Sequence, residues 1–306
     1  MEQGRWLHTD LAIEEKESFA GDGGEIPGVA LDEFMVEEAE LKVTIVEILN
    51  EAGAKAMGKP VGTYITLESD FYNYQEACLE QLASYIQNLL PEGEGTYLTV
   101  GLGNPDMTAD SLGPVAVSHL WINAHLSETG GMSGIAPGVM AQTGMETAHI
   151  IKGIVEETKP AAVIVVDALA ARNTARLGRT IQLSDTGIHP GSGVGNHRMG
   201  INEETLGVPV IAIGVPTVVG TATIACDAVD ALTRFLEQEE KTRVLAETIG
   251  EMPDQAKHQW LQELMGSLGG LFVTPRDIDE TVVRLGGFVA EGINRAVGDK
   301  ITWGTE

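Results

Sequence analysis

Three stretches of this 306-residue chain hold side chains whose types suit acid–base chemistry. The first, GLGNPDMTADSLGP, runs from Gly101 to Pro114 and carries Asp106 and Asp110. The second begins VIVVDALAAR, where Asp167 closes an otherwise apolar run. The third, DTGIHPGSGVGNHR, starts at Asp185 and contains Gly191, Gly193 and Gly195. A carboxylate at the edge of an apolar strand is partly desolvated, which raises its pKa and suits it to proton transfer. Two carboxylates brought close share one proton, so that one acts as base and the other as acid. Glycine-rich backbone can turn its N–H groups toward an anion or a peptide carbonyl. Each feature also has a plain structural reading. Asp110 before Ser-Leu-Gly-Pro can cap a helix, Asp167 can pair with Arg172 or cap a helix itself, and the glycines can form a tight turn.

Other patterns exclude common chemistries. The strand-Gly-x-Gly turn at Gly101 lacks the third glycine of a dinucleotide site, because position 106 is Asp, and no Gly-Lys-Ser/Thr follows any glycine loop. There is no GxSxG elbow, and neither Cys78 nor Cys226 sits in a nucleophile motif. The seven histidines form no HExxH pair. A site of Asp110, Asp167 and a distant His is a conceivable metal site, but the pattern calls for neither metal nor cofactor. The Asp185-Thr186-Gly187 triplet mimics that of pepsin-like proteases, which are all-β and bring two triplets together. A single triplet in an α/β context is a decoy.

The elements that must position these loops follow from periodicity. Val43–Leu49, Gly62–Ser69, Thr96–Gly103, Ala161–Asp167, Arg179–Asp185 and Val208–Pro216 read as strands. Asn50–Pro60, 71–90, Asp110–Leu126, Thr143–Thr158, 219–240 and Arg276–Ala296 read as helices. Strands alternating with helices predict an α/β fold with a mainly parallel sheet and helices on both faces. Ligands of such sheets bind at the carboxyl ends of the strands, which directs attention to four loops: Gly101–Asp110, Asp167–Arg172, Asp185–Arg198 and Pro216–Thr221.

Composition narrows the function classes. The chain has 45 acidic and 19 basic side chains and a net charge of −26. Such a charge repels phosphate and argues against direct nucleic-acid binding. No apolar run approaches the ~20 residues of a membrane span. Two separated cysteines and an N-terminus without an apolar leader point to a cytoplasmic protein with free thiols. The first 50 residues carry thirteen acidic and three basic side chains, and residues 13–40 read as an exposed, protease-accessible segment.

From Gly58 onward the chain resembles the germination protease family, the spore proteases of endospore-forming bacteria. The matching blocks are GKPVGTYITLES, TVGLGNPDMTADSLGP, APGVMAQTGMET, KPAAVIVVDALAAR, TIQLSDTGIHPGSGVGN and ETLGVPVIAIGVPTVV, in the family's order. The N-terminal HTDLAIE resembles the family's processing segment. The resemblance implies a hydrogenase maturation protease-like (phosphorylase/hydrolase-like) fold. It further implies an endopeptidase that degrades small acid-soluble spore proteins in the forespore or spore core, is made as a self-processing zymogen and assembles as a homotetramer. Cleavage after Glu or Asp, before a hydrophobic residue and Ala, is expected of it. Asp10-Leu11-Ala12 fits that rule, so residues 1–10 are expected to be a propeptide and 11–306 a single peptidase domain. The family's two essential aspartates fall on Asp110 and Asp167, with Gly191, Gly193 and Gly195 as a substrate or oxyanion loop. Ala141 and Gly220 depart from the family pattern, and the loop between Leu126 and Gly134 is shortened. The alternatives are a nickel-dependent hydrogenase maturation-type peptidase, to which GLGNPDMTAD is partly similar, and a noncatalytic relative that binds without cutting.

Overall fold

The computed structural model describes residues 9–19, 26–71, 76–93, 95–126, 130–191, 198–238, 241–250 and 263–298, with positions 252, 256 and 260. In chain order these form α1 (Ala12–Phe19), β1 (Val29–Val36), β2 (Leu41–Ile48), α2 (Glu51–Met57), β3 (Gly62–Glu68), α3 (Glu76–Leu89) and β4 (Thr96–Gly101). There follow α4 (Leu112–Ser118), β5 (Gly131–Ile135), α5 (Met140–Thr143), α6 (Thr147–Thr158), β6 (Ala162–Ala171), β7 (Thr180–Ser184) and α7 (Glu203–Leu206). The last described elements are β8 (Val210–Gly220), α8 (Thr221–Glu237), α9 (Arg243–Gly250), β9 (Phe272–Val273) and α10 (Ile278–Gly298).

One sheet has the order β1-β2-β3-β7-β8-β6-β4-β5, with β9 added to β8. The α/β class and the helices on both faces are as predicted. The parallel pairing is confined to β5, β4, β6 and β8, and the strands from β1 through β7 to β8 pair antiparallel. For β1 and β2 the physical reason is connection length: parallel neighbours need a crossover of a dozen or more residues, and only residues 37–40 link these two strands.

Residues of β6 alternate between the two faces. Ala162, Ile164 and Val166 join α3, α4 and α10 in one core, and Val163 and Val165 pack on the other face against Ala148, Ile151 and Val155 of α6. An apolar run buried on both sides is what a central parallel strand requires. In α3, Cys78, Leu79, Leu82, Ala83 and Ile86 share the buried stripe. The α2 helix is capped at both ends. Asn50 Oδ1 accepts the N–H groups of Ala52 and Gly53 at 3.0 and 3.1 Å, and Gly58, at φ +64°, closes it in the left-handed conformation.

Two expectations need correction. The helix foreseen over Asp110–Leu126 is only α4. The chain leaves the helix after Ser118 because Trp121 N–H finds Asn294 Oδ1 on α10 at 2.9 Å, a long-range bond that local periodicity cannot show. The segment 13–40 is not simply exposed. Most of β1 within it is exposed, as expected, but Ile13 and Glu14 of α1 are at most 3% exposed, as are Leu11 and Ala12 just before them. Leu11 and Ile13 pack with Leu169, Ala171 and Val219, while the acid that looked like surface charge meets a buried arginine.

Candidate active site

The strand β4 stops at Gly101, opposite Val166, whereas β6 runs on to Ala171 beside β8. Asp167 therefore does not end its strand, as periodicity suggested. It is the first residue of β6 beyond the reach of β4, so its flank opens where a strand is missing. The side chain is 6% exposed and its Oδ1 accepts the N–H of Ala168 at 2.9 Å. Burial pushes its pKa well above the ordinary carboxylate value. The nearby Asp110 and Asp10 push the same way, and the Ala168 N–H and Arg198 oppose them.

Asp110 arrives from the loop that follows β4. Its Oδ2 accepts the N–H of Asn104 at 2.9 Å, so the carboxylate turns back on its own loop and does not cap α4. Burial raises its pKa too, opposed by the Asn104 N–H and by Arg198. The loop is clamped at several points. Thr217 Oγ1 donates to the Ala109 carbonyl at 2.6 Å. Gly103 sits at φ +109°, where a Cβ would lie 1.9 Å from the Asp110 carbonyl oxygen. A Cβ on Gly113 would fall 2.3 Å from Leu102 O and 2.5 Å from Val166 O, so these glycines serve backbone approach and not dinucleotide binding. Asp106 is exposed, and its Oδ2 accepts from Gln142 Nε2 at 3.1 Å, a contact that braces the loop.

Asp110 and Asp167 line a common cavity of about 420 Å³, together with Gly191 and Arg198. Gly191 occupies a turn at φ +74°; Gly193 and Gly195 lie outside the described residues. No ion pair joins Asp167 to Arg172 among the described residues. The Asp185-Thr186-Gly187 triplet is structural, as expected: Asp185 Oδ1 accepts the N–H of Thr63 at 2.8 Å, Thr186 Oγ1 donates to Tyr64 Oη at 3.1 Å, and Gly187 is pressed against the backbone at Ile201. Among the described residues, no three His, Cys, Asp or Glu side chains converge as ligands of a metal ion would.

The N-terminal segment lies across this site. Asp10 N–H donates to Ala170 O at 3.0 Å, and Ala170 N–H donates back to Asp10 Oδ2 at 2.9 Å. Asp10 thus occupies the line that β4 vacates along β6. Its carboxylate is close enough to Asp167 to raise that residue's pKa. Beyond it, Leu11 and Ala12 are fully buried. Glu14 anchors the segment by accepting the N–H groups of Arg172 and Asn173 at 2.7 and 2.9 Å, and it pairs with Arg176 at 3.2 Å. Arg176 also holds Glu17 and Glu68.

The chain's likeness to known proteins identifies its family. A family model described as germination protease matches residues 8–245. The chain belongs to the germination protease family. It is 43% identical to the germination protease of Clostridium perfringens, over 95% of each chain. It is 36% identical to that of Bacillus subtilis, over 97% of this chain and 94% of the relative. Among solved structures it matches a NiFe hydrogenase maturation protease from Thermococcus kodakarensis at 16% identity and a TM-score of 0.34, over 68% of this chain and 98% of that one. This family member is thus a peptidase of the germination protease type, and among its described residues no helix is long and apolar enough to cross a membrane.

Three residues near Asp10, Asp110 and Asp167 escaped the sequence reading. Lys59 and Gln182 contact the Asp10 carbonyl, and Arg198 lines the cavities on both sides of Asp10. A signal for Gln182 was present. Thr180, Gln182 and Ser184 alternate with the core residues Ile181 and Leu183, so one face of β7 is entirely polar although buried. Such a face implies something polar seated on it.

Proposed function

We propose that this family member is an aspartic-type endopeptidase in which Asp110 and Asp167 share one proton, made as a zymogen that cuts its own Asp10–Leu11 bond. The observation that carries the reading is the seat of Asp10. It lies between the two cavities, hydrogen-bonded to Ala170 and electrostatically coupled to Asp167, with the expected scissile bond on its C-terminal side.

The deeper Asp167 holds the proton and the half-buried Asp110 is ionised. A water gives one proton to Asp110 as its oxygen bonds to the Asp10 carbonyl carbon, and the carbonyl π pair moves onto oxygen. The carbonyl then re-forms, the bond to Leu11 N breaks, and that nitrogen takes the proton of Asp167. The pair ends with one proton, now on Asp110, and returns to its starting state by transfer between the two carboxyls.

The expected specificity has support in the same segment. Leu11 fills an apolar pocket of Leu169, Ala171 and Val219, and Ala12 packs among Val46, Ile48, Met57 and Tyr64. A hydrophobic residue followed by Ala matches those two sites. The substrates in this reading are the small acid-soluble proteins of spores, met in the spore core by a homotetramer, and the −26 charge keeps the enzyme from competing for the DNA those proteins coat.

The test is intact-mass spectrometry of the full chain and its Asp110→Asn and Asp167→Asn variants at mildly acidic pH, with a peptide containing Glu-Ile-Ala. Loss of the first ten residues and cleavage after Glu, in wild type alone, is the expected result. Unchanged masses in wild type would favour a noncatalytic relative, and cleavage by either variant at near-normal rate would exclude the shared-proton pair.

A further inference from the structure

Under the reading that Asp10–Leu11 is the scissile bond, the carbonyl that must become an oxyanion is that of Asp10. That oxygen already has two donors. Lys59 Nζ donates to it at 2.9 Å and Gln182 Nε2 at 3.2 Å. We propose that Lys59 and Gln182 form the oxyanion site of this peptidase, lining a cavity separate from that of the two aspartates.

The fold presents both residues for that purpose. Gln182, Gly214 and Asp167 lie in one row across β7, β8 and β6, and all three face the side on which the N-terminal segment docks. Two strand spacings set the backbones of Gln182 and Asp167 about 10 Å apart. Between them Gly214 has no side chain, and Leu169 lies in the space where its Cβ would stand, 2.4 Å from the nearest Leu169 carbon. Leu169 in turn packs against Leu11, so it forms the floor beneath the scissile bond. The amide of Gln182 spans that bond. Its Nε2 reaches the Asp10 carbonyl while its Oε1 accepts the N–H of Ala12 at 2.6 Å.

Lys59 comes from the other side, directly after the left-handed Gly58 that ends α2. Its loop is braced by the Tyr64 hydroxyl, which donates to the Pro60 carbonyl at 3.0 Å. Asp10 lines two cavities, one holding Lys59 and Gln182 and the other Asp110 and Asp167. The carbonyl oxygen therefore points at the donors, and the aspartate cavity is left for the water. When water adds to the Asp10 carbon, the charge that moves onto oxygen falls between an ammonium and an amide N–H. That is the geometry in which fixed donors stabilise a transition state more than a ground state.

The test uses the full chain with Lys59→Met, Lys59→Arg and Gln182→Leu, followed by intact mass for self-processing and by steady-state kinetics on the Glu-Ile-Ala peptide. Lys59 is half-buried, so the melting temperature of each variant is measured beside wild type to separate a folding defect from a catalytic one. The kcat of Lys59→Met should fall roughly 10²- to 10³-fold, as for loss of one oxyanion donor, with KM changed less than about threefold. Lys59→Arg should regain at least about tenfold of that loss, and Gln182→Leu should lower kcat in the same way. A Lys59→Met enzyme with kcat within about threefold of wild type, or a loss carried by KM alone, would overturn the proposal while wild-type cleavage after Asp10 left the protease reading standing. A wild type that never cuts after Asp10 or Glu would overturn both.

Discussion

Replacing Asp167 by Asn separates the cost of burying this carboxyl from its use. The side chain is 6% exposed. Burial, Asp110 and Asp10 all raise its folded-state pKa, in that order of size. The unfolded chain has the ordinary value near 3.9. A folded pKa above the unfolded one means that the fold prefers the protonated form. The stability this group contributes is whole below the unfolded pKa and is lost as pH rises through the folded pKa. Asn has nearly the same shape and is neutral throughout. Wild type and Asp167→Asn should therefore melt alike near pH 4 and diverge as pH rises, with the variant the more stable. A buried, poorly compensated polar group costs about 1–3 kcal/mol, so the difference at pH 8 should fall in that range, or about 2–4 °C in Tm per kcal/mol. Scanning calorimetry across pH 4–8 reads it, and intact mass should show self-processing slowed by about 10²- to 10⁴-fold. A variant less stable than wild type at pH 8, or a difference that does not change with pH, would refute the claim that burial keeps a proton on Asp167.

Asp10→Asn removes one of the charges that raises the Asp167 pKa, so in that background the stability gap between Asp167 and its Asn variant should be smaller at pH 8 and should level off at a lower pH, measured by the same calorimetry. Arg176→Met leaves Glu14, 2% exposed at its side chain, without its cation. Breaking such a buried pair costs about 3–5 kcal/mol, and hydrogen exchange should show the amides of Leu11–Ile13 opening first. Gly113→Ala drives a Cβ to 2.3 Å from Leu102 O. Overpacking of that kind costs about 1–3 kcal/mol, and because the contact seats the Asp110 loop, kcat should fall with Tm.

Much of the fold was readable along the chain because most of its elements announce themselves locally. VTIVEIL, TYLTVG and VIAIGVP became β2, β4 and β8, and Gly58 after a short alanine-rich run marked the end of α2. The errors share one cause. The short α4, the extension of β6 to Ala171 and the buried start of α1 each depend on a partner distant in sequence: Asn294 for the turn after α4, Val218 and Val219 for the end of β6, and Arg176 for Glu14. Periodicity carries no information about those partners. It reported Glu14 and Glu17 as solvated charge because an acid on the surface and an acid facing a buried guanidinium look identical in sequence.

The candidate site divides along the same line. Residue type and block order, set against the family, singled out Asp110, Asp167 and the Asp10–Leu11 bond, because those rest on what the residues are. Only the tertiary structure brought the three together. Asp167 is poised because β4 ends one residue short of it, and the strand-like gap so left admits Asp10. Lys59 and Gln182 meet the Asp10 carbonyl only after β3, β7, β8 and β6 have lined up in register. Long-range strand pairing decides that alignment, and it is settled by the packing of the whole sheet and not by any stretch of the chain alone.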